Sequence, residues 1–215
     1  MKVVLVAASG LALEVLAVLR TEGVEDVLVL DDDPHRWGET LGDAPVVGGL
    51  DEVRRYAAHR VLVCAGSGRA RQAIVQRLLA LGVDPARFPS LVHWSVEVPP
   101  DCTIGRGSVV LAGAVLTANV TVGEHVVVMP QVVLTHDDVV ADYATLCAGV
   151  ALGGRVQVGR AAYVGMNASV REGVHVGDGS TLGMGAALLE DLPAGETWVG
   201  VPARPVGRTA LTRAV

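Results

Sequence analysis

The chain has 215 residues, 51% hydrophobic and 19% charged, which excludes a disordered chain and leaves room for one or two globular domains. Its net charge of −6 argues against a nucleic-acid binder or a polybasic membrane anchor. The longest stretch free of Asp, Glu, Lys and Arg, residues 107–123, contains Gly, Thr and Asn and is shorter than the roughly 20 apolar residues of a bilayer-spanning helix, so no membrane span is expected.

Lys2 and the apolar run from Val3 to Leu13 admit a secretory leader, but Glu14 sits inside it. A strand over Val3–Val6, a tight turn over residues 7–10 and a helix to about Arg20 account for the segment better. Further strands are expected at Val27–Leu30, Val46–Val47 and Arg60–Cys64, alternating with helices at 11–20, 50–58 and 69–81, the last closed by Gly82. Such alternation predicts a parallel sheet covered by helices, a small Rossmann-like α/β domain over residues 1–88 with ligands at the carboxyl ends of its strands. Cys64, Cys102 and Cys147 lack CxxC spacing, so neither a disulfide framework nor a zinc site is expected, and a reducing cytoplasm fits.

From residue 89 the period changes. Steps of six from Val92 through Val98, Ile104 and Val110 to Leu182 and Leu188 meet only Val, Ile or Leu at seventeen consecutive positions. Four residues after each stands a small or apolar residue, with Asp138 the one charge in that series. Glycine follows the aliphatic residue at Gly105, Gly123, Gly153, Gly159, Gly165, Gly177 and Gly183, where a turn at positive φ is expected. The pattern predicts a parallel β-helix of five to six triangular coils over residues 89–215, in which residues 18 apart stack, with the tail from Ala194 to Val215 as a C-terminal cap.

The segments Leu188–Gly195 and Trp198–Arg204 are similar to the closing motif of hexapeptide-repeat acyltransferases. With Val29–Asp32, Pro45–Leu50, Ala65–Arg71, Phe88–His93 and Thr135-His136-Asp137, nearly the whole chain resembles the sialic acid O-acetyltransferase and bacterial UDP-amino-sugar N-acetyltransferase family. That resemblance implies a left-handed β-helix, a homotrimer with active sites between subunits, acetyl-CoA as acyl donor and a nucleotide-sugar substrate. It implies His136 as general base and Asp137 as the group that raises its basicity. It further implies the backbone N–H of Gly154 at the thioester carbonyl, with Thr145, Met166, Met184 and Arg204 along the cofactor. Thr145 replaces a histidine found in some relatives.

The residues have plainer readings too. His136 stacks on Ala118 and Gly154, both small, and a histidine titrates near working pH, as an acyl-transfer base requires. Arg155 stacks on Asp137 and offers a surface ion pair instead. Asp138 is either a solvated charge or a second partner of the site. Cys147 reads as a small turn residue rather than an acyl carrier.

In the first domain, Ser9, Gly10, Asp31, Asp32 and Gly49 are the nucleotide-sugar candidates. The turn Ala7-Ala8-Ser9-Gly10-Leu11-Ala12 departs from the glycine-rich turn of relatives, so Ala7 and Ala12 are expected to narrow the pocket. Zinc chemistry of the γ-carbonic-anhydrase type is not expected, because His125, His136 and His175 lack the close spacing of that family. The function expected is N-acetylation of a nucleotide-linked amino sugar. The alternatives are sialic-acid-type O-acetylation and a non-catalytic trimeric scaffold with a degenerate nucleotide site.

Overall fold

A computed structural model describes residues 1–206; residues 207–215, the end of the expected C-terminal cap, lie outside the described residues. The described chain forms two compact units that divide between Leu91 and Val92. None of its helices is long and apolar enough to cross a membrane.

The first unit is a five-stranded sheet in the order β3-β4-β2-β1-β5. Its strands are β1 (Lys2–Val6), β2 (Asp26–Leu30), β3 (Thr40–Leu41), β4 (Ala44–Gly48) and β5 (Arg60–Val63), with helices α1 (Gly10–Thr21) and α2 (Gly68–Ala80). Val3–Val6 are wholly buried, as the continuous aliphatic run of a parallel strand covered on both faces requires. Helix α1 starts at Ser9, whose hydroxyl accepts the Ala12 N–H, and turns Leu11, Ala12, Val15, Leu16 and Leu19 inward. Each such aliphatic burial is worth roughly 1.5–3 kcal/mol.

Two expectations are corrected here. Residues 50–58 are not an α-helix: Leu50–Tyr56 form a 3-10 helix whose buried residues, Leu50 and Val53, follow the three-residue repeat of that form. Strand β4 is longer than Val46–Val47 and pairs antiparallel with β3, a hairpin edge on an otherwise parallel sheet.

The second unit is a left-handed parallel β-helix. Two-residue strands recur every six residues from Thr103–Ile104 to Ala187–Leu188, and each pairs with the strand 18 residues away: Thr121 with Thr103 and with Val139, Val122 with Ile104 and with Val140. The second residue of nearly every strand points inward, so Leu134, Leu146, Val164, Leu182 and Leu188 are fully buried along one core. Val98 is the exception. It is exposed and outside any strand, because Pro99 and Pro100 remove the N–H groups a ladder needs.

The glycines after the aliphatic residue serve close approach rather than a left-handed turn. A Cβ on Gly153 would fall 2.6 Å from the Glu172 nitrogen, and one on Gly165 would fall 2.5 Å from that of Met184. Positive φ falls two residues later in each turn, at Gly107, Asn119, His125, Gln131, Asp137 and Arg155, where the chain turns each corner of the prism. Past the last full coil, Thr197–Val199 pairs with Thr181–Leu182 and Arg204–Pro205 folds back on it, burying Trp198 and Ala203.

Candidate active site

His136 stands in the turn after the strand Val133–Leu134, its side chain exposed. The imidazole Nδ1 lies 2.8 Å from Asp137 Oδ2. A carboxylate can only accept, so Nδ1 carries the proton and Nε2 is left as the basic nitrogen. Asp137 Oδ1 accepts in turn from the Asn119 side-chain amide at 2.7 Å. These hydrogen bonds, that from His136 first, hold the Asp137 carboxyl below the usual carboxylate range. Arg155 makes no ion pair with Asp137 and acts on it only through its charge, contrary to the stacking expectation.

The stacking of His136 on residues 118 and 154 is present: the Asp137 N–H donates to the Ala118 carbonyl and the Arg155 N–H to that of His136. The imidazole lies over Gly154. A methyl group on Gly154 would come within 2.8 Å of His136 Cδ2 and closer still to Nε2 and Cε1, so only glycine leaves the ring its place.

Asp138 is not a solvated charge. It is 0% exposed and its carboxylate accepts the backbone N–H groups of Thr135 at 2.7 Å and Val156 at 2.9 Å. Burial raises its pKa to about 6, against the opposing pull of those two donors. Cys147 is likewise buried, which pushes its thiol up and away from the reactive thiolate.

The remaining solenoid candidates are distributed as follows. Met166 and Met184 are both exposed and one coil apart, the Gly185 N–H reaching the Met166 carbonyl. Thr145 is buried on a strand between Val127 and Tyr163. Arg204 pairs with Glu190 at 2.8 Å.

In the α/β unit the five candidates do cluster, at the carboxyl ends of β1, β2 and β4. Strand β1 lies between β2 and β5, so successive connections leave it in opposite directions, and the turns after β1 and β5 flank that switch point. The Ser9 hydroxyl joins the two turns, donating to the Cys64 carbonyl at 2.6 Å, and Gly10 opens α1 with open space around its Cα. Asp31 accepts the Ala8 N–H at 2.7 Å, while Asp32 accepts the Leu50 N–H at 3.0 Å and pairs with Arg77 at 2.5 Å. Gly49 packs against Asp32 and the Trp37 ring.

Ala7 adopts φ +77, the conformation a glycine would take, and the Ala12 side chain is buried in the core rather than over the turn.

Sequence reasoning overlooked Asn119, although it stands 18 residues before Asp137 and the coil arithmetic names it. It also overlooked Arg36, Trp37 and Arg77. Arg36 donates to the Ala8 carbonyl at 2.5 Å and Trp37 to that of Asp31 at 2.7 Å, contacts that sequence spacing does not announce.

No protein-family model matches the chain, and no curated protein does. Among solved structures it is similar to a histidine-to-asparagine mutant of perosamine N-acetyltransferase from Caulobacter crescentus in complex with CoA and GDP-perosamine. The two share 30% identity over 96% of this chain and 97% of that one, with a TM-score of 0.88. PerB from the same organism, in complex with CoA and GDP-perosamine, is 31% identical over 96% and 98% of the two chains, with a TM-score of 0.87. The acetyltransferase domain of PglB from Neisseria gonorrhoeae, in complex with acetyl coenzyme A, is 29% identical over 95% and 98%, with a TM-score of 0.85. With this identity across nearly the full length of both chains, and with the unbroken six-residue coil, the chain belongs to the hexapeptide-repeat acyltransferases.

Proposed function

We propose that the protein transfers the acetyl group of acetyl-CoA to an amino group on a nucleotide-linked sugar, with His136 as general base. The observation that carries this reading is the hydrogen-bonded series Asn119, Asp137, His136 laid over Gly154, in a fold that overlays along its length with an N-acetyltransferase bound to CoA and GDP-perosamine. Bound acetyl-CoA supplies an activated thioester carbonyl. As the amine attacks and the C–N bond forms, His136 Nε2 takes the proton the amine sheds and returns it to the CoA sulfur as the C–S bond breaks, and Asp137 holds Nδ1–H and offsets the charge of the imidazolium. The Gly154 N–H serves as a donor to the carbonyl oxygen as negative charge builds there.

Met166 and Met184 fit a cofactor arm, being apolar, exposed and one coil apart. Thr145 offers little surface to it, and Arg204 reaches a phosphate only by leaving Glu190. Ser9, Gly10, Asp31, Asp32 and Gly49 form the nucleotide-sugar site, with the two carboxylates bracing the turns as well as presenting spare lone pairs to the ligand. The positive φ at Ala7, a conformation open to glycine, favours a working site over a degenerate scaffold.

The protein acts as a homotrimer with its active sites shared between subunits, in the cytoplasm; exposed apolar residues on the solenoid, Val115 and Val139 among them, and three unpaired buried cysteines support this. The decisive experiment offers acetyl-CoA with a panel of GDP-, UDP-, dTDP- and CMP-linked sugars and follows release of the CoA thiol. Turnover is expected with at least one amino sugar and with none lacking the amine; turnover of an amine-free sugar contradicts N-acetylation. Light scattering should give a mass near three times that of the 22.2 kDa chain.

A further inference from the structure

We infer that Asp138 is a positioning residue for His136: its carboxylate replaces one rung of the backbone ladder and one turn hydrogen bond of the next coil, and so sets the turn 135–138 against the Gly153–Gly154 segment under the imidazole. This rests on the reading of His136 as base.

The ladder shows the substitution. Elsewhere the residue after the inward aliphatic one donates its N–H to the carbonyl seventeen residues on, as Gly123 does to Val140 at 2.8 Å, Met129 to Leu146 at 2.9 Å and Ala141 to Val158 at 2.8 Å. At Thr135 the N–H goes instead to Asp138 Oδ2 at 2.7 Å, and the Thr135 hydroxyl takes the Leu152 carbonyl at 3.1 Å. Three residues further along a turn, the N–H usually returns to the turn's own first carbonyl, as from Val150 to Cys147 at 3.2 Å or Ala168 to Gly165 at 3.1 Å. Val156 donates to Asp138 Oδ1 at 2.9 Å. Strand pairing registers the change: Val133–Leu134 pairs at both residues with the coil before it, but only at Val133 with the coil after it.

The same inward slot holds other polar side chains, each spanning a single coil gap. Ser108 accepts the Val126 N–H at 2.8 Å and Cys102 the Val120 N–H at 3.4 Å. Asp138 takes two donors, Thr135 on its own turn and Val156 on the coil that follows, and needs both oxygens unprotonated to hold them. The charged groups around it are His136 and Asp137 on its own turn and Arg155 on the coil that follows, while residues 117–120 of the preceding coil carry no charge. Its burial, which lifts the pKa to about 6, places loss of the second donor bond within reach of mildly acidic solution.

The test compares the wild-type protein with Asp138→Asn and Asp138→Ser for kcat, KM for acetyl-CoA and the pH dependence of kcat. Asparagine keeps the size but offers one acceptor oxygen to two donors. Serine copies Ser108, keeps the bond to the next coil and guards against failure of the first variant to fold. The expected result is a kcat lowered roughly 10- to 100-fold, as a small displacement of a catalytic group costs, with KM for acetyl-CoA within about twofold. The acid limb of log kcat against pH should change from a slope near two to a slope of one. A folded variant with kcat within about twofold of wild type and an unchanged acid limb overturns the proposal.

Carbethoxylation of His136 by diethyl pyrocarbonate, read by mass spectrometry, needs no acceptor sugar; its rate should shift in both variants, and an unshifted rate also overturns the proposal. His136→Asn separates the two ideas. Turnover lost there but intact in the Asp138 variants refutes the positioning role alone. Turnover kept in His136→Asn refutes the base, and the positioning role with it.

Discussion

In the solenoid a residue's neighbours follow from one number, eighteen; in the α/β unit no such number exists. Asn119 meets Asp137, and Asp138 meets Val156, each across 18 residues. In the first unit Ser9 reaches Cys64 across 55 residues, Asp32 reaches Arg77 across 45 and Arg36 reaches Ala8 across 28. The contrast separates two ways of building a site: a one-dimensional stack, where a local period places the groups, and a layered sheet, where strand order does. It further suggests a division of labour, with chemistry in the stack and substrate holding in the sheet.

The sharpest challenge to that division is His136→Asn. It should lower kcat by about 10² to 10⁴ while leaving KM for acetyl-CoA and for the nucleotide sugar nearly unchanged; steady-state kinetics showing normal kcat would place the chemistry elsewhere.

Next comes the energetic burden of the stack's one charged inward residue. Asp138 binds its proton more tightly folded, with a pKa of about 6, than unfolded, where an aspartate sits near 3.9. Its stabilising contribution is therefore fully present below about pH 4 and is lost as pH rises through about 6, on the order of 3 kcal/mol in all. Urea unfolding at pH 4.5 and 7.5 should show wild type gaining on Asp138→Asn at the lower pH. An equal gap at both would mean that the carboxylate is not strained by burial.

Gly154→Ala tests the eighteen-residue contact directly. The new methyl displaces the imidazole, and kcat should fall about 10- to 100-fold without loss of fold. Asp31→Ala probes the other unit, where the Ala8 N–H loses its acceptor. KM for the nucleotide sugar should rise about tenfold with kcat within about twofold, and a pure kcat effect would erase the division of labour. The smallest effect expected is that of Ala7→Gly. Relief of left-handed strain, roughly 1–2 kcal/mol, exceeds the roughly 0.5–1 kcal/mol of entropy that glycine costs, and the thermal midpoint should rise by about 1–2 °C.

How much was legible follows the same division. The coil period, the core line from Ile104 to Leu188 and the notch around His136 were readable, since a parallel stack puts sequence offsets into space without further information. The left-handed positions of the turns were misassigned. Positive φ falls at Gly107 and Gly149 but equally at Asn119, His125, Gln131 and Asp137, while the glycines next to the inward aliphatic residue relieve crowding between coils. For Asp138 the sequence leaves open a solvated charge or a second partner of the site, because a carboxylate is seldom buried; only the two donors around it make its burial tolerable. Arg36 and Arg77 are not legible because their partners Ala8, Asp32 and Asp51 lie in segments after the strands, which the sheet gathers from distant parts of the chain; Trp37 reaches Asp31 only six residues back, around the 3-10 turn Pro34–Arg36, which no periodic pattern marks.

By itself the sequence determined the six-residue period, the aliphatic core and the candidacy of one histidine, because steric and hydrophobic patterning act over a few residues and repeat without change. Only the tertiary structure decided which groups surround that histidine, which backbone hydrogen bonds are replaced beside it and which turns converge at the switch point. Those depend on how donors, acceptors and charges are satisfied once water is excluded, and that balance exists only among neighbours the folded chain brings together.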